Sequence, residues 1–150
     1  MTGRALVDSN ILVYTFDPAS RDKQAHAALV LDALEPIGRG VLSTQVLGEF
    51  FRVATEKLVN PLTAAEARLD LERLTATWPV LSITPPIVLE AARGVRDHRM
   101  AYWDAQLWAT ARLNQVDVVL SEDFQDGGVL DGVRFMNPFA SSFDLAALIG

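Results

Sequence analysis

Carboxylates are the side chains of this sequence whose types and spacing could do chemistry. They stand at four places, just beyond predicted strands or near the start of predicted helices: Asp8, Glu49, Asp104 and the pair Glu122 and Asp123. In a parallel α/β sheet, residues beyond the carboxyl ends of neighbouring strands converge on one crevice. Ligand sets made only of oxygen select Mg²⁺ or Mn²⁺ over zinc. The sequence therefore predicts an acidic, cation-binding site that suits phosphodiester hydrolysis.

Mutual repulsion limits how such a site can exist. Two carboxylates about 5 Å apart repel by roughly 3 kcal/mol at an effective dielectric near 20, so the six pairs of a quartet approach about 20 kcal/mol. The whole stability of a domain is only about 5–15 kcal/mol. A converged quartet must therefore be solvated, partly protonated or occupied by a cation.

Each acidic residue also has a purely structural interpretation. Asp8 is a favoured residue type for a helix N-cap, and Asp104 could cap its own helix although it falls on the buried face of the helical wheel. Glu49 falls well off the apolar stripe of its helix, which favours a solvated glutamate. Asp123 and Asp126 could be turn formers, because Asp and Gly are typical of such loops.

The chain alternates β-type runs with helical periodicities, which predicts an α/β fold with a mostly parallel central sheet flanked by helices. No linker or repeat divides residues 1–150, which we expect to form a single domain. Predicted strands cover 5–7, 41–43, 80–83, 116–120 and 133–135. Predicted helices cover 11–16, 22–34, 45–57, 64–75, 85–97 and 103–113, and an apolar tail covers 145–149.

Composition excludes several classes of site. The sequence has no cysteine, which removes disulfides, thiolate metal sites and cysteine nucleophiles and favours a cytoplasmic protein. Two histidines, His26 and His98, make a multi-histidine zinc site improbable. A formal charge of −6 argues against holding nucleic acid mainly by bulk positive charge. No stretch approaches the roughly 18 apolar residues that span a bilayer, so no membrane association is expected.

Four segments carry a family resemblance that covers most of the chain, from Leu6 to about Phe139. In order and spacing they resemble the four signature blocks of PIN-domain ribonucleases, and above all the VapC toxins of bacterial type II toxin–antitoxin pairs. The segments are 6–14 (LVDSNILVY), 45–50 (QVLGEF), 102–111 (YWDAQLWATA) and 120–127 (LSEDFQDG).

This resemblance implies a PIN fold and a Mg²⁺- or Mn²⁺-dependent endoribonuclease. Asp8 and Asp104 would be the principal metal ligands. Glu49 would complete the ligand set or polarise the attacking water, and Asp123 would be the fourth acid. A cognate antitoxin would occlude or disturb this acidic pocket, and proteins of this kind commonly form homodimers.

The identity of the fourth acid is open within the last block. Glu122, Asp123 and Asp126 all lie there, and we expect Asp123 to point inward, with Asp126 as the second choice. Supporting side chains would orient the carboxylates or bound waters through hydrogen bonds: Ser9, Asn10, Ser121 and Asp126.

Arg93, Arg96 and Arg99 step by three along a predicted helix and turn, and they form the densest basic patch of the sequence. A functional interpretation is that some of them bind RNA phosphate, for which the guanidinium fork is suited. The structural interpretation, which we favour, is a solvated helix face partly paired with Glu90 and Asp97.

The function predicted from these features is a metal-dependent endoribonuclease that acts as the toxin of a toxin–antitoxin pair. One alternative is a catalytically silent PIN-like module that only binds protein or RNA. A second alternative is a phosphatase of the haloacid-dehalogenase type, which needs a second Asp two residues after the nucleophile. Asn10 stands at that position relative to Asp8 and disfavours it.

Overall fold

The computed structural model describes residues 3–149. Met1, Thr2 and Gly150, which belong to the predicted domain 1–150, lie outside the described residues. The described elements follow in chain order: β1 Ala5–Val7, α1 Ser9–Tyr14, α2 Arg21–Leu34, β2 Gly40–Ser43, α3 Thr44–Glu56, α4 Ala64–Thr77, β3 Val80–Leu81, α5 Pro85–His98, α6 Tyr102–Leu113, β4 Val118–Leu120, β5 Val129–Leu130, β6 Val133–Met136 and α7 Leu145–Ile149.

The strands form one sheet in the order β3-β2-β1-β4-β6-β5. Every neighbouring pair is parallel except β5 with β6, so the predicted α/β fold with a mostly parallel sheet is confirmed. In the central strand β1, Ala5 is in register with Gly40 on one side and Val118 on the other. The carboxyl ends of β1, β2 and β4 therefore open on the same edge of the sheet.

The core lies on both faces of this sheet. All three side chains of β1 are fully buried, which requires covering layers above and below the strand. The predicted apolar stripe of the helix α3 consists of Leu47, Phe50, Phe51, Ala54 and Leu58. Leu47, Phe50 and Ala54 are buried, whereas Phe51 and Leu58 are only partly buried. The remaining face of α3 is thus free to carry a polar side chain toward the sheet edge.

Close packing of α5 against α6 fixes where α6 begins. A Cβ atom at Gly94 would lie 2.9 Å from the ring of Trp108, so only glycine allows this approach without a shift of the ring. Helix α5 ends at His98, and its C-cap residue Arg99, whose φ of 56° is left-handed, turns the chain into α6. The first turn of α6, with Asp104, is placed by this packing.

Several predicted boundaries are wrong by two residues, and two of these differences have a visible local cause. Helix α1 starts at Ser9 rather than residue 11, because the Asp8 side chain caps it. Strand β3 stops at Leu81 rather than residue 83. Strand β4 starts at Val118 rather than residue 116, because the Val116 N–H bonds to the carbonyl of Ala111 at the end of α6.

The short strand β5 had no counterpart in the sequence prediction, whereas the apolar tail 145–149 forms α7. No helix in the described range 3–149 is long and apolar enough to cross a membrane.

Candidate metal centre

Asp8 lies at the carboxyl end of β1 and is only 6% exposed. Its Oδ1 accepts a hydrogen bond from the Ser9 N–H at 2.7 Å, and its Oδ2 accepts one from the Ser121 hydroxyl at 2.7 Å. Asp8 is therefore a helix cap and also part of the sheet edge. Burial raises the pKa of Asp8 to about 6, although the two hydrogen bonds oppose this rise.

Glu49 and Asp104 face the same edge from α3 and α6. Burial raises the pKa of both carboxyls, and repulsion from Asp8 and Asp104 raises that of Glu49 further. Glu49 is half-buried rather than solvated, which contradicts the interpretation from the helical wheel. Asp104 lies in the first turn of α6, and its alternative role as N-cap is wrong because Ala101 occupies the cap position.

Asp123 follows β4 in a loop that is tied to α1. The Asn10 amide nitrogen donates to Asp123 Oδ2 at 3.1 Å and to Ser121 Oγ at 3.2 Å. The Asp123 N–H in turn donates to Ser121 Oγ at 3.1 Å. Asn10 and Ser121 thus connect Asp123 to Asp8, and repulsion from Asp123 contributes to the raised pKa values of Asp8 and Asp104.

Glu122 points away from these carboxylates. Its Oε1 accepts a hydrogen bond from the Tyr14 hydroxyl at 2.6 Å, and its Oε2 pairs with Lys23 Nζ at 2.9 Å. Sequence reasoning missed this contact of the loop with α1 and α2.

Asp126 is also directed elsewhere. Its carboxylate accepts hydrogen bonds from the Asn137 N–H and from the Ser142 hydroxyl, both at 2.8 Å, and these lower its pKa. The hydrogen bonds of Asp126 therefore stabilise its own loop. Of the three acids in the last block, Asp123 is the one that lies toward Asp8.

We call Asp8, Glu49, Asp104 and Asp123 the acidic cluster. Five of its six pairs, all but Glu49 with Asp123, raise the pKa of a member by mutual repulsion. Within residues 3–149, no ion pair with Lys, Arg or His neutralises any member. The cluster is thus a concentration of negative charge that lacks a protein counter-charge over this range.

The donor chemistry of the acidic cluster fits Mg²⁺ or Mn²⁺, which prefer carboxylate and amide oxygens. In the described range no three acidic or histidine side chains are arranged to hold an ion as they stand. The Asn10 side-chain nitrogen lies between the carboxylates of Asp8 and Asp123. The buried Asn10 Oδ1 has no hydrogen-bond partner within residues 3–149. Because Mg²⁺ keeps several waters and uses few protein ligands, this arrangement fits a hydrated cation.

The basic patch is largely neutralised by its own neighbours. Arg93 pairs with Glu90, Asp97 and Asp131, and Arg96 pairs with Asp97. The expected pairing with Glu90 and Asp97 is confirmed. Arg99 differs, because it is exposed and forms no ion pair within residues 3–149.

Sequence reasoning also missed a polar contact between α3 and α6. The side chain of Gln106, only 6% exposed, donates to Gln45 Oε1 at 2.9 Å. An amide inside the largely apolar buried run 105–111 of α6 is the sequence signal that could have pointed to such a contact.

Comparisons with known proteins agree with this geometry. A model of the PIN domain family matches residues 5–125. Among curated protein sequences, none matches the chain significantly.

Solved structures with the same fold include a toxin–antitoxin complex from Klebsiella pneumoniae, with a TM-score of 0.67 and 18% identity over 90% of this chain and 98% of that one. VapC20 from Mycobacterium tuberculosis, described as a sarcin-ricin loop cleaving toxin, has a TM-score of 0.64 and 20% identity over 87% of this chain and 98% of that one. FitAB bound to a DNA fragment has a TM-score of 0.68 and 19% identity over 93% of this chain and 98% of that one.

At these identities the structures establish a shared fold and no more. The family model is more specific, because it spans most of the chain and includes all four members of the acidic cluster. The chain therefore belongs to the PIN domain family.

Proposed function

We propose that this protein is a Mg²⁺- or Mn²⁺-dependent endoribonuclease of the VapC type, the toxic half of a toxin–antitoxin pair. The observation that carries the proposal is the acidic cluster, four carboxylates that repel one another on a PIN domain with no protein counter-charge within residues 3–149. Structural carboxylates are ordinarily paired, as those of α5 are. A cluster of this kind is suited to a cation.

Asp8 and Asp104 would be the principal ligands, with Glu49 and Asp123 completing the set. A divalent cation bound there would stabilise the negative charge that develops on phosphate during hydrolysis and would favour ionisation of water. Ser121 and the Ser9 N–H hold the Asp8 carboxylate in place. Asn10 holds Asp123 beside it.

The raised pKa values bear on proton transfer. Burial holds the pKa of Asp8 near 6, so at neutral pH this carboxyl is partly protonated until a cation binds. Glu49 is half-buried, and burial also raises the pKa of its carboxyl. With Asp8 and Asp104 as the principal ligands, Glu49 would be the acceptor for a proton of the attacking water.

An RNA substrate is compatible with the acidic composition. The four members of the acidic cluster account for four of the six excess negative charges, so the rest of the domain is close to neutral. RNA phosphate would dock at the cation and at a few arginines, of which Arg99 is the most available. Arg93 and Arg96 are weaker candidates, because their guanidinium groups are already paired.

An antitoxin partner follows from the same proposal. The structural neighbours include a toxin–antitoxin complex and a VapBC complex bound to DNA, which supports a protein partner for this chain as well. Co-expression with the product of a small adjacent reading frame should suppress toxicity and RNA cleavage. Continued cleavage in a stable complex of the two proteins would contradict neutralisation at the acidic pocket.

A homodimer is also proposed. Apolar side chains are exposed on α5, with Val88 at 41%, Leu89 at 72% and Val95 at 38%. Pairing of two such faces would remove them from water. Light scattering of the purified protein should give twice the chain mass, and a monomer at micromolar concentration would refute this part.

The central test is cleavage of RNA by the purified protein with Mg²⁺, with Mn²⁺ and with EDTA. Cleavage should require the cation, and Asp8→Asn or Asp104→Asn should abolish it. Asp97→Asn, which alters a paired aspartate of α5, is the matched control and should cleave like the wild type. Undiminished cleavage by both cluster variants would overturn the site, and a wild type that binds RNA without cleaving it would favour the catalytically silent module.

A further inference from the structure

Three polar side chains form a chain of hydrogen bonds between α3 and α6 beside the acidic cluster. The Tyr102 hydroxyl donates to Gln106 Oε1 at 2.9 Å, and Gln106 Nε2 donates to Gln45 Oε1 at 2.9 Å. Gln45 Nε2 then donates to the backbone carbonyl of Trp103 at 3.1 Å. This relay joins the helix that carries Glu49 to the helix that carries Asp104.

The last hydrogen bond of this relay, to the Trp103 carbonyl, determines which atoms donate and which accept along it. A backbone carbonyl can only accept, so the atom of Gln45 that faces Trp103 must be the nitrogen. The oxygen of Gln45 then faces Gln106 and requires the Gln106 nitrogen, which leaves the Gln106 oxygen to accept from the Tyr102 hydroxyl. Neither amide can rotate by half a turn without placing like atoms against each other.

Gln45 also lies beside a member of the acidic cluster. It precedes Glu49 by four residues on α3, so the two side chains lie on the same helix face. The Gln45 amide lowers the pKa of the Glu49 carboxyl, although burial raises that pKa overall. A primary amide has two N–H groups, so one can serve Glu49 and the other the carbonyl that immediately precedes Asp104.

We propose that Gln45 is a positioning residue, whose amide holds the Glu49 carboxylate and the first turn of α6 in one relative arrangement, and whose orientation is set by Gln106 and Tyr102. The inference rests on the proposed function, because it concerns how the acidic cluster is prepared for a cation. Groups that orient metal ligands typically change metal affinity or activity by about 10–100-fold when they are removed. Gln45 is expected to fall in that range.

The test compares Gln45→Met with Gln24→Met. Gln24 is the matched control, because its Nε2 also donates to a backbone carbonyl, that of Thr15 at 3.2 Å, and within residues 3–149 its side chain bonds to no member of the acidic cluster. Mn²⁺ affinity is measured by calorimetry without RNA, and kcat and KM are measured separately. Gln45→Met should bind Mn²⁺ about tenfold more weakly and lower kcat while KM for RNA stays within about twofold, and Gln24→Met should match the wild type.

Two further variants measure how much the other members of the relay contribute to Mn²⁺ affinity. Gln106→Leu should weaken Mn²⁺ binding in the same direction as Gln45→Met, and Tyr102→Phe, which removes a single hydroxyl, should do so least. If Gln45→Met is shown to be unfolded by circular dichroism, the conservative Tyr102→Phe decides, and wild-type Mn²⁺ affinity in that variant overturns the proposal.

Equal Mn²⁺ affinity in folded Gln45→Met and Gln24→Met also overturns it. A wild type that binds no Mn²⁺ would contradict the proposed function itself, which makes the two failures distinguishable.

Discussion

The acidic cluster and the charged face of α5 contain the same types of side chain in opposite electrostatic settings. On α5, Glu90 and Asp97 pair with Arg93 and Arg96 of the same helix. Asp131, in the turn after β5, also pairs with Arg93, and Arg112 of α6 pairs with Glu90. These contacts lower the pKa of each of the three carboxyls. In the acidic cluster, burial and mutual repulsion raise the pKa values of Asp8, Glu49 and Asp104.

The difference shows which carboxylates are structural. The α5 group, which we call the α5 charge network, is complete, because each negative charge has a guanidinium partner. The carboxylates of the acidic cluster have no cationic partner within residues 3–149, so they destabilise the fold when they are ionised. A region that costs stability in this way and lies at the edge where three strands end is expected to have a binding role.

The largest expected effect is on stability. The folded-state pKa of Asp8 is about 6 against an ordinary value of 3.8, so the native state retains a proton that the unfolded chain releases. The contribution of Asp8 to the free energy of unfolding therefore falls as pH rises from about 4 to 6 and stays low above that. The loss amounts to about 3 kcal/mol, at 1.36 kcal/mol for each unit of pKa difference.

Asp8→Asn should therefore be more stable than the wild type at pH 8 in EDTA, by up to that amount, and the gain should shrink toward pH 4. Urea unfolding at several pH values measures the difference. Asp131→Asn, in the α5 charge network, should show the opposite sign, because the pKa of Asp131 is lowered. A gain for Asp8→Asn that does not vary with pH would contradict the electrostatic explanation.

The next effect is stabilisation by the cation. Binding to the folded state alone adds about 2.7 kcal/mol to the free energy of unfolding when the ion is at 100 times its Kd. Mn²⁺ should therefore raise the Tm of the wild type and have little effect on Asp8→Asn or Asp104→Asn. Glu90→Gln, which breaks the α5 charge network, should start from a lower Tm and still respond fully to Mn²⁺. An equal rise in all four proteins would place the binding outside the cluster.

A smaller effect separates the acids of the loop after β4. Asp123→Asn should lower kcat for RNA cleavage by about tenfold, within the range typical for groups around a metal. Asp126→Asn should leave kcat within about twofold, because Asp126 bonds to Asn137 and Ser142 rather than to the acidic cluster. The reverse ranking would make Asp126 the fourth acid. Thermal melts of both variants check that the loop still folds.

The smallest effect concerns the arginines. Arg99→Glu should reduce the slope of log affinity for RNA against log salt by about one, the change expected when one phosphate contact is lost. Arg96→Glu should change it less, because Arg96 is already paired with Asp97. Filter binding at several salt concentrations measures both slopes. Unchanged slopes in both variants would leave the patch as a solvated helix face.

Much of this architecture was predictable because its signals are local. The apolar run 5–7 followed by Asp8 predicted a strand that ends in an acid, and the wheel of α6 predicted that Asp104 lies off the solvent side. The same argument failed for Glu49, because a helical wheel describes one helix alone. The surroundings of Glu49 are formed by other parts of the chain that come close only on folding. Asp8 and Asp104 are among the residues that act on its carboxyl.

Some features could not be predicted, because they depend on contacts between distant parts of the chain. Gln45 and Gln106 are 61 residues apart, and nothing near either residue indicates that they meet. Similarly, Arg93 reaches Asp131 across 38 residues, which turns an apparent basic patch into a nearly neutral surface.

By itself the sequence determined the alternation of strands and helices, the oxygen-only chemistry of the site and the positions of its acids at strand and helix ends. Only the tertiary structure decided which loop acid joins Asp8. Glu122 is drawn to Tyr14, 108 residues away, and Asp123 to Asn10, 113 residues away. The directions of neighbouring side chains in a loop are set by partners that folding brings near, and local propensity carries no information about those partners.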